Sequence, residues 1–194
     1  MTATRRYCSD VPVLLQVRAL VDHFREYGKP TVGALDVALA RVGRDNSPEL
    51  FFSLMEEGLI TRWACRRFVG DVWSACDHPE NAVEKELWLA AFGWAGYTVD
   101  GRGAERPDAP LVLYRGASFE RRYGMSWTDD IKVAHFFAKE WRVARAHPGV
   151  VWTATVEPWR LLAHNAKQRE GEPEYVIDTS GLAVSEYVPV VAAP

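Results

Sequence analysis

The chain has 194 residues, of which 48% are hydrophobic and 25% are charged, and its net charge is −3. This composition is typical of a globular protein and excludes a disordered chain, a coiled coil and a collagen-like fibre. No apolar run approaches the roughly 20 residues that a membrane-spanning helix needs. The slightly acidic balance argues against a broad basic face for nucleic acid, but it leaves room for a local basic groove.

The three cysteines, Cys8, Cys65 and Cys76, form no Cys-x-x-Cys pair. The first 15 residues lack the uninterrupted apolar core of a secretory signal. We therefore expect reduced thiols and a cytoplasmic protein. Cys76 and His78 are close, but no second pair at zinc spacing accompanies them, so we expect no metal.

The first 97 residues predict helices. Apolar residues recur at helical spacing in five segments, 13–24, 35–42, 47–55, 60–75 and 79–94. Glycines and prolines separate these segments, as expected at helix ends. Four of the eight tryptophans fall in them at helical spacing, and we expect these four to be mostly core residues: Trp63, Trp73, Trp88 and Trp94.

The character of the sequence changes after Tyr97. Segment 99–110 is rich in Gly, Pro and Asp and predicts a loop at a lobe boundary. Short β-type runs follow, at 111–115 (LVLYR), 150–156 (VVWTATV), 174–177 (EYVI) and 183–191, the last interrupted by Pro189.

One helix is predicted among these strands. Thr128, Asp129 and Asp130 offer a cap and acidic first-turn residues, and Ile131, Ala134, Ala138 and Trp141 follow at helical spacing. We predict an α+β fold in which residues 1–105 form a helical lobe integral to the domain. Residues 106–194 would then form the α+β core.

The usual catalytic signatures are absent: there is no P-loop, GxGxxG, HExxH or GxSxG. One short segment, Leu113-Tyr114-Arg115-Gly116, ends a strand with an arginine followed by a glycine. Arginine suits phosphate or ribose, and glycine lets a ligand approach the backbone. Taken alone, a surface arginine before a turn is the more common explanation.

Two further segments carry hydroxyls and carboxylates. Ser126-Trp127-Thr128 lies at a strand-to-helix junction, where hydroxyls orient neighbours or simply cap the helix. Glu172-Pro173-Glu174 opens an apolar strand, and at period two both glutamates point the same way. Two such carboxylates repel each other unless a cation or a substrate donor lies between them.

In this order, the three segments resemble the Arg-Ser-Glu class of ADP-ribosyltransferases. Ser126-Trp127-Thr128-Asp129 with Ala134, Phe137 and Ala138 is similar to the second block of that family, and Glu172-Pro173-Glu174 to the third. The resemblance runs from Leu111 to Asp178, and it implies a split, two-sheet core against which the helical lobe packs. Arg115 and Ser126 are closer in sequence than the family usually has them.

The resemblance implies a role for each site residue. Glu174 would be the catalytic carboxylate bound to the nicotinamide ribose, and Glu172 would orient or deprotonate the acceptor. NAD, used as a substrate, would be bound by Arg115, Gly116, Ser126, Trp127, Thr128 and Phe137. Arg115, counted with the two glutamates among the catalytic residues, would hold the diphosphate or ribose. The backbone of Gly116 would contact the nicotinamide amide, and Trp127 or Phe137 would stack on nicotinamide. The polar segment from His164 to Gly171, which contains Lys167, Gln168 and Arg169, would be a loop that recognises the acceptor.

The acceptor and partners stay open. The candidates are a protein arginine, which a glutamate at position 172 favours, a nucleic-acid base, a small molecule, and water in an NAD glycohydrolase. The resemblance also admits a toxin-like enzyme with an antitoxin or immunity partner. The 18 arginines against 5 lysines favour a bacterial or phage source.

Two other classes compete with this interpretation. The chain could be a noncatalytic module whose Trp-rich lobe binds a partner. RNA 2′-phosphotransferases share the architecture, but they rely on basic residues, so the glutamate pair counts against them.

Overall fold

A computed structural model describes residues 11–140, 148–167 and 173–189. The chain divides after Gly103 into two compact units. The first unit is almost entirely helical, whereas the strands of the second unit lie in two sheets. The fold class is therefore α+β. None of the helices in the described ranges combines the length and the apolar character that crossing a bilayer requires.

From residue 11 onward, where its description begins, the first unit consists mostly of six helices: α1 (Val11–Tyr27), α2 (Val32–Val42), α3 (Ser47–Glu56), α4 (Arg62–Ala75), α5 (Pro79–Ala82) and α6 (Lys85–Ala95). The side chains of Thr31 and Thr61 cap α2 and α4 by accepting hydrogen bonds from Ala34 N and Ala64 N. Helices were confirmed in all five predicted segments, but 79–94 is not one helix. Val83 and Glu84 adopt extended backbone conformations and separate α5 from α6.

A short hairpin closes the first unit, where the sequence predicted only a loop. Strands β1 (Thr98–Val99) and β2 (Arg102–Gly103) pair antiparallel. The two residues between them, Asp100 and Gly101, have φ of 48° and 72°. Two central residues with positive φ suit the tight turns that match strand twist, and Asp-Gly is a preferred sequence for them.

Aromatic side chains fill the centre of the first unit. The rings of Trp73 and Trp88 meet edge to face at 5.0 Å, and Phe52 and Phe92 pack against them. The buried indole of Trp88 donates a hydrogen bond to Pro79 O at 3.0 Å, which satisfies its one polar atom. Trp63 and Trp94 do not share this core: they are 61% and 39% exposed, so two of the four tryptophans are buried where mostly core residues were expected.

The described residues of the second unit form six strands: β3 (Leu111–Ala117), β4 (Ser126–Trp127), β5 (Val150–Val156), β6 (Leu161–Asn165), β7 (Glu174–Ile177) and β8 (Ser185–Glu186). In one sheet β7 lies between β6 and β4, and in the other β5 lies between β3 and β8. All of these pairings are antiparallel. Strands 150–156 and 174–177 were confirmed to the residue. The predicted strand 183–191 is reduced to β8 in the described range.

Helix α7 (Ile131–Lys139) packs directly on β3 and β5. Ala134 and Ala138 are buried against Val151, with Tyr114 and Tyr187 beside them. The helix is capped by Asp130, whose carboxylate accepts from Lys132 N at 2.8 Å. Thr128 is therefore not the cap. Trp141, predicted on this helix, lies outside the described residues.

Candidate functional site

The two sheets of the second unit meet beside the predicted site. Tyr114 of β3 and Thr128, just after β4, exchange two main-chain hydrogen bonds of 2.7 Å and 2.9 Å. This bridge brings the middle of β3, which runs on to Ala117, against the residue that follows β4. Arg115 and Ser126, which flank the bridged residues in sequence, consequently lie side by side.

The guanidinium of Arg115 is fixed by main-chain carbonyls. Its Nε donates to Arg121 O at 3.0 Å, and one Nη donates to Ser126 O at 2.6 Å. Two donors on different atoms of a rigid planar group set both its position and its plane. Arg121 is the last residue of a single 3-10 turn, Phe119–Arg121. This turn is the short connection that the close spacing of Arg115 and Ser126 in the sequence requires.

Glu174 is the other charged residue at this place. It begins β7, the strand with a neighbour on each side, and its side chain is half-buried. The hydroxyl of Ser126 donates to Oε1 of Glu174. Ser126 thus contacts Arg115 through its carbonyl and Glu174 through its hydroxyl. The structure brings together Arg115, Ser126 and Glu174 from three strands and both sheets.

Asn165 completes this carboxylate site, and sequence reasoning missed it. It lies opposite Glu174 in the β6–β7 register, is 1% exposed, and its amide is 3.5 Å from Oε2 of Glu174. The expected acceptor loop, 164–171, is wrong for its first two residues, because His164 and Asn165 belong to β6. No period of two marks this strand in the sequence, because Leu161 and Leu162 are both apolar and the pairing with β7 shifts register between Leu161 and Ala163.

Stacked rings support β7 next to Glu174. His164 and Tyr175 face each other across β6 and β7, with ring centroids 4.1 Å apart and planes 3° from parallel. The hydroxyl of Tyr175 lies 3.5 Å from a carboxylate oxygen of Asp129, in the turn before α7. These contacts connect the start of β7 to both neighbouring segments, and they hold the backbone that carries Glu174.

The glycine after Arg115 has a packing role. A Cβ on Gly116 would lie 2.0 Å from Ala134 O and 2.5 Å from Ala138 N of α7. Only a residue without a side chain lets the helix approach β3 this closely. The predicted contact of its backbone with nicotinamide remains a prediction.

The other predicted NAD-binding residues differ in exposure. Trp127 is 2% exposed and its indole donates to Gly124 O at 2.8 Å, which is the environment of a core residue. We therefore place no ligand contact on Trp127. Thr128 is also buried, and its hydroxyl accepts from Asp130 N at 3.1 Å, which shapes the turn into α7. Phe137 is half-buried on α7, with its ring against Phe136.

An aromatic and cationic segment follows β3. The Arg122 guanidinium lies 3.7 Å from the ring centroid of Phe119 and 4.5 Å from that of Tyr123. Both rings are largely exposed, and the Phe119 ring also packs edge-on against Trp152 of β5. Stacking of a guanidinium on aromatic faces holds this segment in place beside Arg115.

Part of the predicted site falls outside the described residues. Glu172, Gln168 and Arg169 are in this group, whereas Lys167 is described and exposed. Within the described ranges, no group of three or more His, Cys, Asp or Glu side chains is arranged to hold a metal ion.

Comparisons of the chain with protein-family models, with curated proteins and with solved structures found no match in any of the three. The site is therefore interpreted from its own chemistry. A carboxylate held by a hydroxyl and an amide, close to a fixed guanidinium, can accept a hydrogen bond from a sugar hydroxyl, stabilise a developing cation and bind an anionic group.

Proposed function

We propose that the protein transfers ADP-ribose from NAD to an acceptor, as an ADP-ribosyltransferase of the Arg-Ser-Glu class. The observation that carries the proposal is the contact series from Arg115 through Ser126 to Glu174. Three residues selected from separate segments of the sequence by one resemblance meet at a single point. A chance likeness of short motifs gives no reason for such a meeting.

Glu174 would stabilise the transition state of the transfer. The bond between ribose C1′ and the nicotinamide nitrogen breaks, and nicotinamide leaves with the bonding electrons. Positive charge then develops on the ribose ring, as in glycoside hydrolysis. A carboxylate beside the ring attracts that charge and accepts a hydrogen bond from the ribose 2′-hydroxyl. The new bond to C1′ uses a lone pair of the acceptor, which loses its proton to solvent or to a base.

The remaining residues would bind and orient the reactants. Ser126 and Asn165 hold the two carboxylate oxygens of Glu174, so its geometry is set before the substrate arrives. Arg115 would bind the diphosphate or ribose of NAD. By the resemblance, Glu172 would act on the acceptor, and the loop with Lys167, Gln168 and Arg169 would recognise it.

The test is release of nicotinamide from NAD by the purified protein, alone and with cell lysate. We expect Glu174→Gln to lower the rate at least 1,000-fold, because it removes a negative charge that lowers the activation free energy by about 4 kcal/mol. NAD binding, measured by calorimetry, should change less than tenfold. Glu186→Gln is the matched control, because Glu186 is an exposed glutamate of β8 in the same unit.

Two results would contradict the proposal. One is an equal rate in the wild type and in a folded Glu174→Gln variant. The other is the absence of nicotinamide release, and of ADP-ribose label in lysate protein or nucleic acid, combined with no measurable NAD binding.

A further inference from the structure

Two arginines of α4 reach the end of α6 in the first unit. Arg62 Nε donates to Trp94 O at 2.8 Å, and Arg66 Nε donates to Ala95 O at 2.8 Å. The carbonyls at the end of a helix carry partial negative charge, which favours a guanidinium there. These bonds use the Nε–H of each arginine and orient its outer Nη groups.

The outer groups converge on one point. Above Gly96, the position that a Cβ would take is 3.7 Å from Nη2 of Arg66 and 3.9 Å from Nη2 of Arg62. Gly96 has φ of 78°, a conformation that favours glycine, and so the space stays open. Gly103 of β2 similarly leaves room for Arg66, whose Nη1 is 3.0 Å from its Cβ position.

Neither of these arginines has a carboxylate partner among the described residues, whereas three other arginines of the first unit do: Arg25 binds Glu57, Arg44 binds Asp77, and Arg67 binds Asp71. Two guanidinium groups that face the same space repel each other. An anion between them removes that repulsion, and guanidinium groups suit phosphate because they offer paired donors.

Exposed aromatic rings accompany the two cations. Trp63, next to Arg62 on α4, is 61% exposed, and Trp94, whose carbonyl accepts from Arg62, is 39% exposed. Trp63 is also three residues before Arg66, so the two lie on the same face of α4. We name these four residues, Arg62, Trp63, Arg66 and Trp94, the arginine–tryptophan surface. It joins phosphate-binding groups to flat apolar rings.

We propose that the arginine–tryptophan surface binds single-stranded nucleic acid. Phosphates occupy the space between Arg62 and Arg66, and unpaired bases stack on the exposed indoles. Every nucleotide carries both a phosphate and a flat base, so a single strand supplies a partner for the paired guanidinium groups and for the two exposed tryptophans together. The surface acts without NAD, and its test is independent of the transfer reaction.

The experiment measures binding of a fluorescein-labelled 12-nucleotide oligo(dT) to the full chain by anisotropy, at several salt concentrations and without NAD. We expect Arg62→Gln/Arg66→Gln to weaken binding at least tenfold. In this double variant, the slope of the logarithm of the binding constant against the logarithm of salt concentration should be smaller by about 1.4, because two phosphate contacts are lost. Arg18→Gln/Arg41→Gln is the control, since it removes two exposed arginines of α1 and α2 and should change affinity less than twofold.

A second variant separates binding from folding. Arg62 and Arg66 also bind the carbonyls at the end of α6, so the melting temperature of the double variant must be measured alongside its affinity. Trp63→Ala changes only an exposed side chain, and loss of one stacked base should weaken binding about fivefold or more. Three results would each overturn the proposal: no oligo(dT) binding by the wild type at 20 mM salt, equal affinity in the wild type and both variants, or tighter binding of poly-glutamate than of oligo(dT).

Discussion

The contact between α7 and β3 makes a strong prediction for Gly116→Ala. The new Cβ would lie 2.0 Å from Ala134 O, 2.5 Å from Ala138 N and 2.9 Å from Phe137 C, all main-chain atoms that no rotamer change can move. Ordinary contact begins near 3.4 Å, so α7 must withdraw by about 1.4 Å, and it loses packing along the buried Ala134–Ala138 face. Overpacking of this kind costs about 1–3 kcal/mol or more.

The loss is partly offset in the unfolded state. Alanine restricts the unfolded chain more than glycine does, which returns roughly 0.4–1 kcal/mol. We therefore expect Gly116→Ala to lower the free energy of unfolding by about 2 kcal/mol. For a unit of this size, the melting temperature should fall by about 10 °C.

Urea denaturation followed by circular dichroism, together with calorimetry, measures this effect. The control is Gly93→Ala within α6, where nothing lies within 4 Å of the Cβ position. That change should raise stability by up to about 1 kcal/mol, because alanine is the better helix former. An unfolding free energy of Gly116→Ala within 0.5 kcal/mol of the wild type would refute the close approach of α7 to β3.

Three further predictions concern the site and the core. Asn165→Ala should slow nicotinamide release about tenfold by freeing one oxygen of Glu174, and Asn165→Asp should slow it further through charge repulsion; equal rates in all three proteins would contradict the positioning role. Burial raises the pKa of the Cys65 thiol to about 12. Between pH 9 and 12 this thiol is therefore ionised in the unfolded chain and protonated in the folded one, so the free energy of unfolding should fall by about 1.4 kcal/mol for each unit that the pH rises. Urea denaturation at several pH values should show that Cys65→Ala lacks this contribution. Trp88→Ala should cost about 3–5 kcal/mol in urea denaturation, whereas Trp63→Ala should cost less than 1 kcal/mol; similar losses would show that the two indoles are not in different environments.

Local patterns in the sequence predicted most elements because each is specified by its own residues. The alternation in 150–156 and the apolar run 174–177 defined their strands to the residue. The break at Val83 and Glu84 was missed, because the apolar spacing continues through it and only the backbone conformation changes. The β1–β2 hairpin was missed because strands of two residues show no period, although Asp100-Gly101 carried the turn signal.

The candidate site was only partly accessible to sequence reasoning. Arg115, Ser126 and Glu174 could be selected because each stands in a short motif. Asn165 could not, since its relevance depends on the register of β6 against β7, a pairing between distant parts of the chain. The exposure of Trp63 depends likewise on which face of α4 meets α6, and helical spacing alone does not decide that.

The Tyr114–Thr128 bridge joins the two sheets of the second unit along a line that we call the seam, with Arg115 on one sheet and Glu174 on the other. Each sheet is held by its own ladder, whereas the distance between these two charges depends on the two main-chain bonds of the bridge and on the bond from Arg115 to Ser126 O. A molecule that contacts both charges would tie the sheets together and reduce opening of the seam. Hydrogen exchange at the amides of Tyr114 and Thr128 would then slow in proportion to the fraction of protein that has the molecule bound, so the exchange rates of these two amides would measure binding.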